Sequence, residues 1–143
     1  MIRIGNAQFW VHDQDEALKF YTQVLGWQVR ADATMEAWHF RWLVVGPPGQ
    51  DDVGLVLMPV PGPPMLDEAS SEALSQLVAK GGGGTLFLET DDCVAAYEEL
   101  KGRGLVFNDP PTTQAYGIDT SFRDPSGNSI RLTQVLPFDP SRG

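Results

Sequence analysis

The feature that most constrains this chain is an internal repeat. Asp13, Ala17 and Gly26 in "VHDQDEALKFYTQVLGW" recur as Asp91, Ala95 and Gly104 in "ETDDCVAAYEELKGRG", each 78 residues later. A repeat of that kind predicts two copies of one supersecondary unit rather than one long meander. Within the first copy, "RIGNAQFWV" alternates as a strand, with Asn6, Gln8 and Trp10 on one face and Ala7, Phe9 and Val11 on the other. Asp13 then offers an N-cap, with Glu16 three residues on. Ala17, Phe20, Tyr21, Val24 and Leu25 follow at helical spacing, and Gly26 suits the position just past the helix. "WQVRAD", "AWHFRWLVV" and "VGLVLMPV" read as three strands. The first unit is therefore βαβββ.

The second copy repeats the order. "TLFLET" is a strand, and "DDCVAAYEELKGRG" is a helix capped by Asp91 or Asp92. "LVFND", "IDTSFR" and "SIRLTQV" are strands, with "PPTTQAYG" a loop and "DPSGN" a turn. Between the copies lies "PGPPM", then "SSEALSQLVAKGGGG", a short helix capped by Ser70 or Ser71 and ended by four glycines. The expected organisation is a single α+β domain over 1–143. Module 1 covers about 1–60, a linker with a short helix about 61–84, and module 2 about 85–136. Two four-stranded sheets side by side would curl into a cup-like, partly open eight-stranded mixed sheet with the helices on its outer face. Asn6, Gln8, Trp10, Thr85, Phe87, Glu89, Arg131 and Thr133 would then line one concave space, the usual setting for a small-molecule ligand.

Charge and composition narrow the partners. Ten Lys and Arg against 19 Asp and Glu leave a net charge of -9, which opposes nucleic acid and anionic membrane surfaces and favours a cationic ligand. The longest apolar run is far too short to span a bilayer, and "MIRIGNAQFW" has no signal-peptide pattern, so a cytoplasmic location is expected. The lone cysteine excludes an internal disulfide and a cysteine-rich zinc site; Cys93, in the first turn of a helix beside Asp91 and Asp92, reads as structural. "GGGGT" lacks the Lys-Ser/Thr ending of a phosphate loop and precedes a strand. No Gly-x-Ser-x-Gly elbow or Cys-His pairing is visible. Of the four tryptophans, Trp27 reads as core packing, while Trp10 shares a face with Asn6 and suits ligand stacking.

The stretches "VHDQDEALKFYTQVLGW", "ETDDCVAAYEELKGRGLVF" and "FRDPSGNSIRLTQ" resemble the vicinal oxygen chelate superfamily, which includes glyoxalase I, the bleomycin-resistance proteins and extradiol dioxygenases. The resemblance implies paired βαβββ modules, a homodimer, and a cup built from two modules of one chain or exchanged between two. Its metal-dependent members carry His, Glu or Gln on one position of each of four strands. Those positions match Asn6, Thr85, Leu55 (or Leu57 with a two-residue slip) and Arg131 here. None is an ordinary donor to a divalent ion, and Arg131 brings a fixed positive charge. No metal or cofactor is therefore expected.

Three residues remain as chemical candidates. Glu89 faces the expected cavity, either as a general acid or base or as the partner of Arg131. Arg131 would pair with it or hold an anionic ligand group. His39, in "AWHFRW", shares a strand face with Arg41 and Leu43, while Trp38, Phe40 and Trp42 share the other. Parity does not say which face is inward, so Arg41 and Trp42 are both ligand-contact candidates. Two functions follow: a metal-independent protein that binds an aromatic or cationic natural product or antibiotic, or a glyoxalase-like lyase or isomerase using Arg131 with Glu89 or His39.

Overall fold

A computed structural model describes all 143 residues, with the expected α+β architecture of two tandem βαβββ modules. Module 1 contains β1 (Asn6–Val11), α1 (Gln14–Lys19), β2 (Gln28–Met35), β3 (Phe40–Gly46) and β4 (Gly54–Pro59). The linker carries α2 (Glu68–Ala79). Module 2 contains β5 (Thr85–Glu89), α3 (Cys93–Gly102), β6 (Thr112–Gln114), β7 (Gly117–Arg123) and β8 (Ser129–Val135). The eight strands divide into two open four-stranded mixed sheets, ordered β1-β4-β3-β2 and β5-β8-β7-β6. In each, the first strand pairs in parallel with the last: Asn6 opposes Gly54, and Thr85 opposes Ser129. No helix is long and apolar enough to cross a membrane.

The helix caps follow from side chains that satisfy free backbone N–H groups. Asp13 accepts from the Glu16 N–H at 2.9 Å, and Asp92 from the Ala95 N–H at 3.0 Å. The linker helix begins earlier than expected. Asp67, not Ser70 or Ser71, is its cap, accepting from the Ser70 N–H at 2.7 Å. Gly26 and Gly104 take positive φ, at 74° and 96°, as residues just past a helix do.

The two modules differ by one residue. Thirteen positions separate Asp13 from Gly26, but twelve separate Asp92 from Gly104. The extra residue is absorbed in a π-helical turn, Phe20–Val24, that continues α1. Module 2 departs from expectation elsewhere. "LVFND" is not a strand; it makes a single bridge, Phe107 to Phe122. Asn108 and Asp109 instead bond to β7, and the two prolines that follow stop any ladder. Part of the expected loop, Thr112–Gln114, pairs with β7 as the short β6.

One hydrophobic core serves both modules. Phe9, Val11, Leu43, Val45, Leu55 and Leu57 from the first sheet meet Leu105, Phe122, Ile130 and Leu132 from the second, with Ala17 and Tyr21 among them. Each fully buried Leu or Ile contributes about 2 kcal/mol. Because the helix-covered faces of both sheets share this core, each sheet has its other face open.

Candidate functional site

Pairing register identifies which side chains reach the open faces. Gln8 opposes Val56, and Val56 opposes Val44. Trp42, two residues before Val44, shares that face, together with Asn6 and Trp10. Asn6 and Gln8 are exposed, and Trp10 and Trp42 are half-buried. The alternate positions Arg41, Leu43 and Val45 point to the helix side. Strand β3 is thus settled: Trp42 is on the open face and Arg41 is not.

Four expected site residues lie elsewhere. Arg41 bonds Asp32 through two nitrogens at 2.9 Å and Asp15 of the α1 first turn at 2.6 Å. These bonds hold the Asp32 carboxyl below its ordinary range. Leu55 and Leu57 are buried in the core, because each registers with the helix-facing residues Ala7 and Phe9. The β4 residue between them, Val56, shares the face of Gln8 but is itself buried, and it is again no metal donor. His39 lies outside β3, at the end of a 3-10 turn (Glu36–Trp38), with φ of 49° and an exposed side chain. It lines none of the principal pockets. His39 is therefore not brought to Glu89 and Arg131, which line a common pocket.

The open face of module 2 holds a pocket of about 270 Å³, lined by Phe87, Glu89, Tyr116, Asp119, Arg131 and Thr133 among others. Phe87, midway along the edge strand β5 and opposite Arg131, is 72% exposed. Arg131 does not pair with Glu89. Its Nε and Nη2 donate to the two oxygens of Asp119 at 2.9 and 2.7 Å. Asp119 is 1% exposed, one strand over on β7, where Ser121 and not Asp119 is the direct opposite of Arg131. A buried carboxylate costs too much to leave unpaired, so it recruits the nearest guanidinium and uses its fork geometry. Hydrogen bonding to Asp119 raises the Arg131 pKa further. Thr133 adds a longer contact to Asp119 at 3.4 Å. The pair cancels its own charge, so Glu89 supplies the excess charge of this pocket. Thr85 sits exposed at the start of β5, outside that pocket.

In one chain the two open faces share no principal pocket: Asn6, Gln8 and Trp10 line none of them. The metal question turns on donor chemistry. Asn6, Thr85, Val56 and Arg131 cannot hold a divalent ion as imidazoles and carboxylates do. No three His, Cys, Asp or Glu side chains group elsewhere as an ion site needs. The four positions at which metal-dependent members of the family carry ligands therefore do not offer an imidazole or carboxylate donor set here. Cys93 is buried, its thiol reaching the Leu132 carbonyl at 3.6 Å, and burial followed by the Asp119 charge pushes its pKa up. Such a thiol is a poor nucleophile.

Two features escaped the strand pattern. Asp119 was invisible as a partner because its role depends on cross-strand register. Tyr116 lies in the tight β6–β7 turn, where periodicity says nothing.

The fold has close counterparts. UcmS2 is 38% identical, with 93% of this chain and 98% of that one aligned at a TM-score of 0.86. TnmS3, an antibiotic-binding protein from a Streptomyces species, is 31% identical over 95% of this chain and 98% of its own, at a TM-score of 0.72. A protein of Shewanella frigidimarina with no ascribed function is 35% identical over 91% of each chain. Residues 3–132 match the family model for these folds, and the chain belongs to the Glyoxalase/Bleomycin resistance protein/Dioxygenase superfamily.

Proposed function

We propose that this protein binds a small molecule without a metal, sequestering an aromatic or cationic natural product such as an antibiotic. The observation that carries the reading is the open face of module 2. An exposed Phe87 lies beside a self-neutralised Arg131–Asp119 pair, with Glu89 left as the charged group. An aromatic platform favours a flat ring. A carboxylate within a net charge of -9 favours a positive group on it. With Arg131 occupied by Asp119, an anionic ligand group is disfavoured. The likeness to TnmS3, described as antibiotic-binding, supports the same class of ligand.

The pocket of module 2 is small and open on its own. Asn6, Gln8, Trp10 and Trp42 on module 1 form a second polar and aromatic face. Two copies of the chain, each offering one face to the other, would close a cup around a ligand. A homodimer is therefore part of the proposal, and such a protein would act in the cytoplasm.

The test combines calorimetry with elemental analysis and sedimentation. Purified without a histidine tag, the protein should carry no stoichiometric metal, sediment as a dimer, and bind members of a library of planar aromatic and cationic natural products. Stoichiometric zinc, nickel or iron, or no binding across the library, overturns the reading.

A further inference from the structure

A larger cavity lies at the seam of the two modules, adjoining the open face of module 2 along Phe87 and Glu89. It measures about 590 Å³, within the range of drug-sized sites. Module 1 supplies Leu25, Trp27 and the turn Pro47–Gln50; module 2 supplies Leu88, Ala96 and Leu100, with Phe122 and Leu132 on the floor. A hollow of about 210 Å³ continues past Trp27 and Pro47 towards Val53 and Leu55. Trp27, expected to be plain core, is half-buried and forms a wall of both.

The lip of this cavity is held in advance. Register slips between Val29 and Ala31, so Arg30 sits at a bulge in β2. Bulges re-aim side chains. The Arg30 guanidinium donates to the Pro47 carbonyl at 2.7 Å and the Gln50 carbonyl at 2.6 Å, tying both ends of the turn. A methyl group on Gly46 would stand 2.8 Å from that guanidinium and would push the Arg30 head group aside. Gly49, at the turn's tip with φ of 85°, has open space where a side chain would project.

One ionisable side chain lines the cavity. Glu89 reaches its rim, and no Lys, Arg or His accompanies it. We propose that the seam cavity is a second binding site, for an organic cation with an apolar, ring-bearing body. Trp27 gives the cation a π face, Glu89 gives it a counter-charge, and the prefixed turn lowers the ordering cost of binding. The two sites meet at Phe87, Leu88 and Glu89 of β5, but Trp27, the Pro47–Gln50 turn, Ala96 and Leu100 line the seam cavity alone, and Tyr116, Asp119, Arg131 and Thr133 line the open face alone.

Thioflavin T, a planar benzothiazolium cation, is a suitable probe, followed by its fluorescence on titration. Ala96→Trp fills the cavity and Thr133→Trp blocks the open face, with circular dichroism reporting the fold of each. The expected result is saturable binding that Ala96→Trp weakens by about tenfold or more and Thr133→Trp changes by less than about twofold. Glu89→Gln should weaken the dye, and an anionic naphthalenesulfonate probe should bind less well than the dye to the unaltered protein. Should Ala96→Trp fail to fold, Gln50→Trp at the exposed lip takes its place. Unchanged dye binding in the cavity variant, loss of binding in Thr133→Trp, or no saturable binding overturns the proposal.

Discussion

The Tyr21 hydroxyl donates a 2.9 Å hydrogen bond to Asp124, 103 residues along the chain, and both residues are buried. Asp124 also accepts from the backbone N–H groups of Ser126 and Asn128 and from Asn128 Nδ2. Asn128 Nδ2 reaches on to the Trp10 carbonyl at 2.8 Å, and Ser126 Oγ accepts from the His12 N–H at 2.9 Å. The "DPSGN" turn is therefore a clamp between modules as well as a connection between β7 and β8. Tyr21→Phe removes one bond and leaves Asp124 with three donors. Urea unfolding should show a loss of about 1–2 kcal/mol. A loss below a few tenths would show that the clamp does not depend on this bond.

The same pair predicts a response to alkali. Burial, then the Asp124 charge and hydrogen bond, push the Tyr21 pKa well above its ordinary value of 10.0. The folded state therefore keeps its proton where the unfolded chain has lost it. This contribution is fully present below about pH 10 and falls as pH rises towards the folded-state value. Melting temperatures measured between about pH 8 and 11 should fall more steeply in the unaltered protein than in Tyr21→Phe. Parallel curves would refute the assignment.

Gly127 has φ of 105°, and an added Cβ would lie 2.4 Å from the Val78 carbonyl oxygen and 2.6 Å from that of Ala79. Gly127→Ala should cost roughly 3 kcal/mol or more, from backbone strain and the displaced linker helix together. Gly62→Ala, with nothing within 4 Å, is the matched control and should be nearly silent.

Asp119→Ala strands the Arg131 guanidinium, whose side chain is 38% exposed. Solvent softens the cost to about 1–2 kcal/mol, below that of a fully buried pair. Replacing both members, Asp119→Leu with Arg131→Met, should recover most of it in denaturant titrations. A double variant weaker than Asp119→Ala would show that the pair is a net source of stability.

Much of the architecture was legible in the chain because it rests on local rules. Alternation put Phe9 and Val11 in the core and Gln8 outside, and Asp13 announced its helix through a side chain that competes for free N–H groups. The site was less legible because it depends on register. Whether Trp42 or Arg41 faces outward is a one-residue question that pairing with β2 and β4 decides. Leu55 and Leu57 were one residue off the open face for the same reason. The Arg131 partner came from β7 and not β5, since burial of Asp119 outweighs the proximity of an exposed Glu89. His39 escaped β3 by adopting a left-handed conformation that strand parity cannot anticipate.

The extra residue in the first module has a consequence for how the halves know each other. It falls in the π turn that carries Tyr21. Aligned by β1 and β5, the counterpart of Tyr21 in module 2 is Leu100, which has no hydroxyl. Aligned by β4 and β8, the counterpart of Asp124 in module 1 is Gly49, which has no carboxylate. The bond can therefore form in one sense only: first half to second, never first to first or second to second. The duplication has become a plug and a socket, and a chain so marked carries its own assembly instruction whether the plug meets the socket of its own chain or of a neighbour.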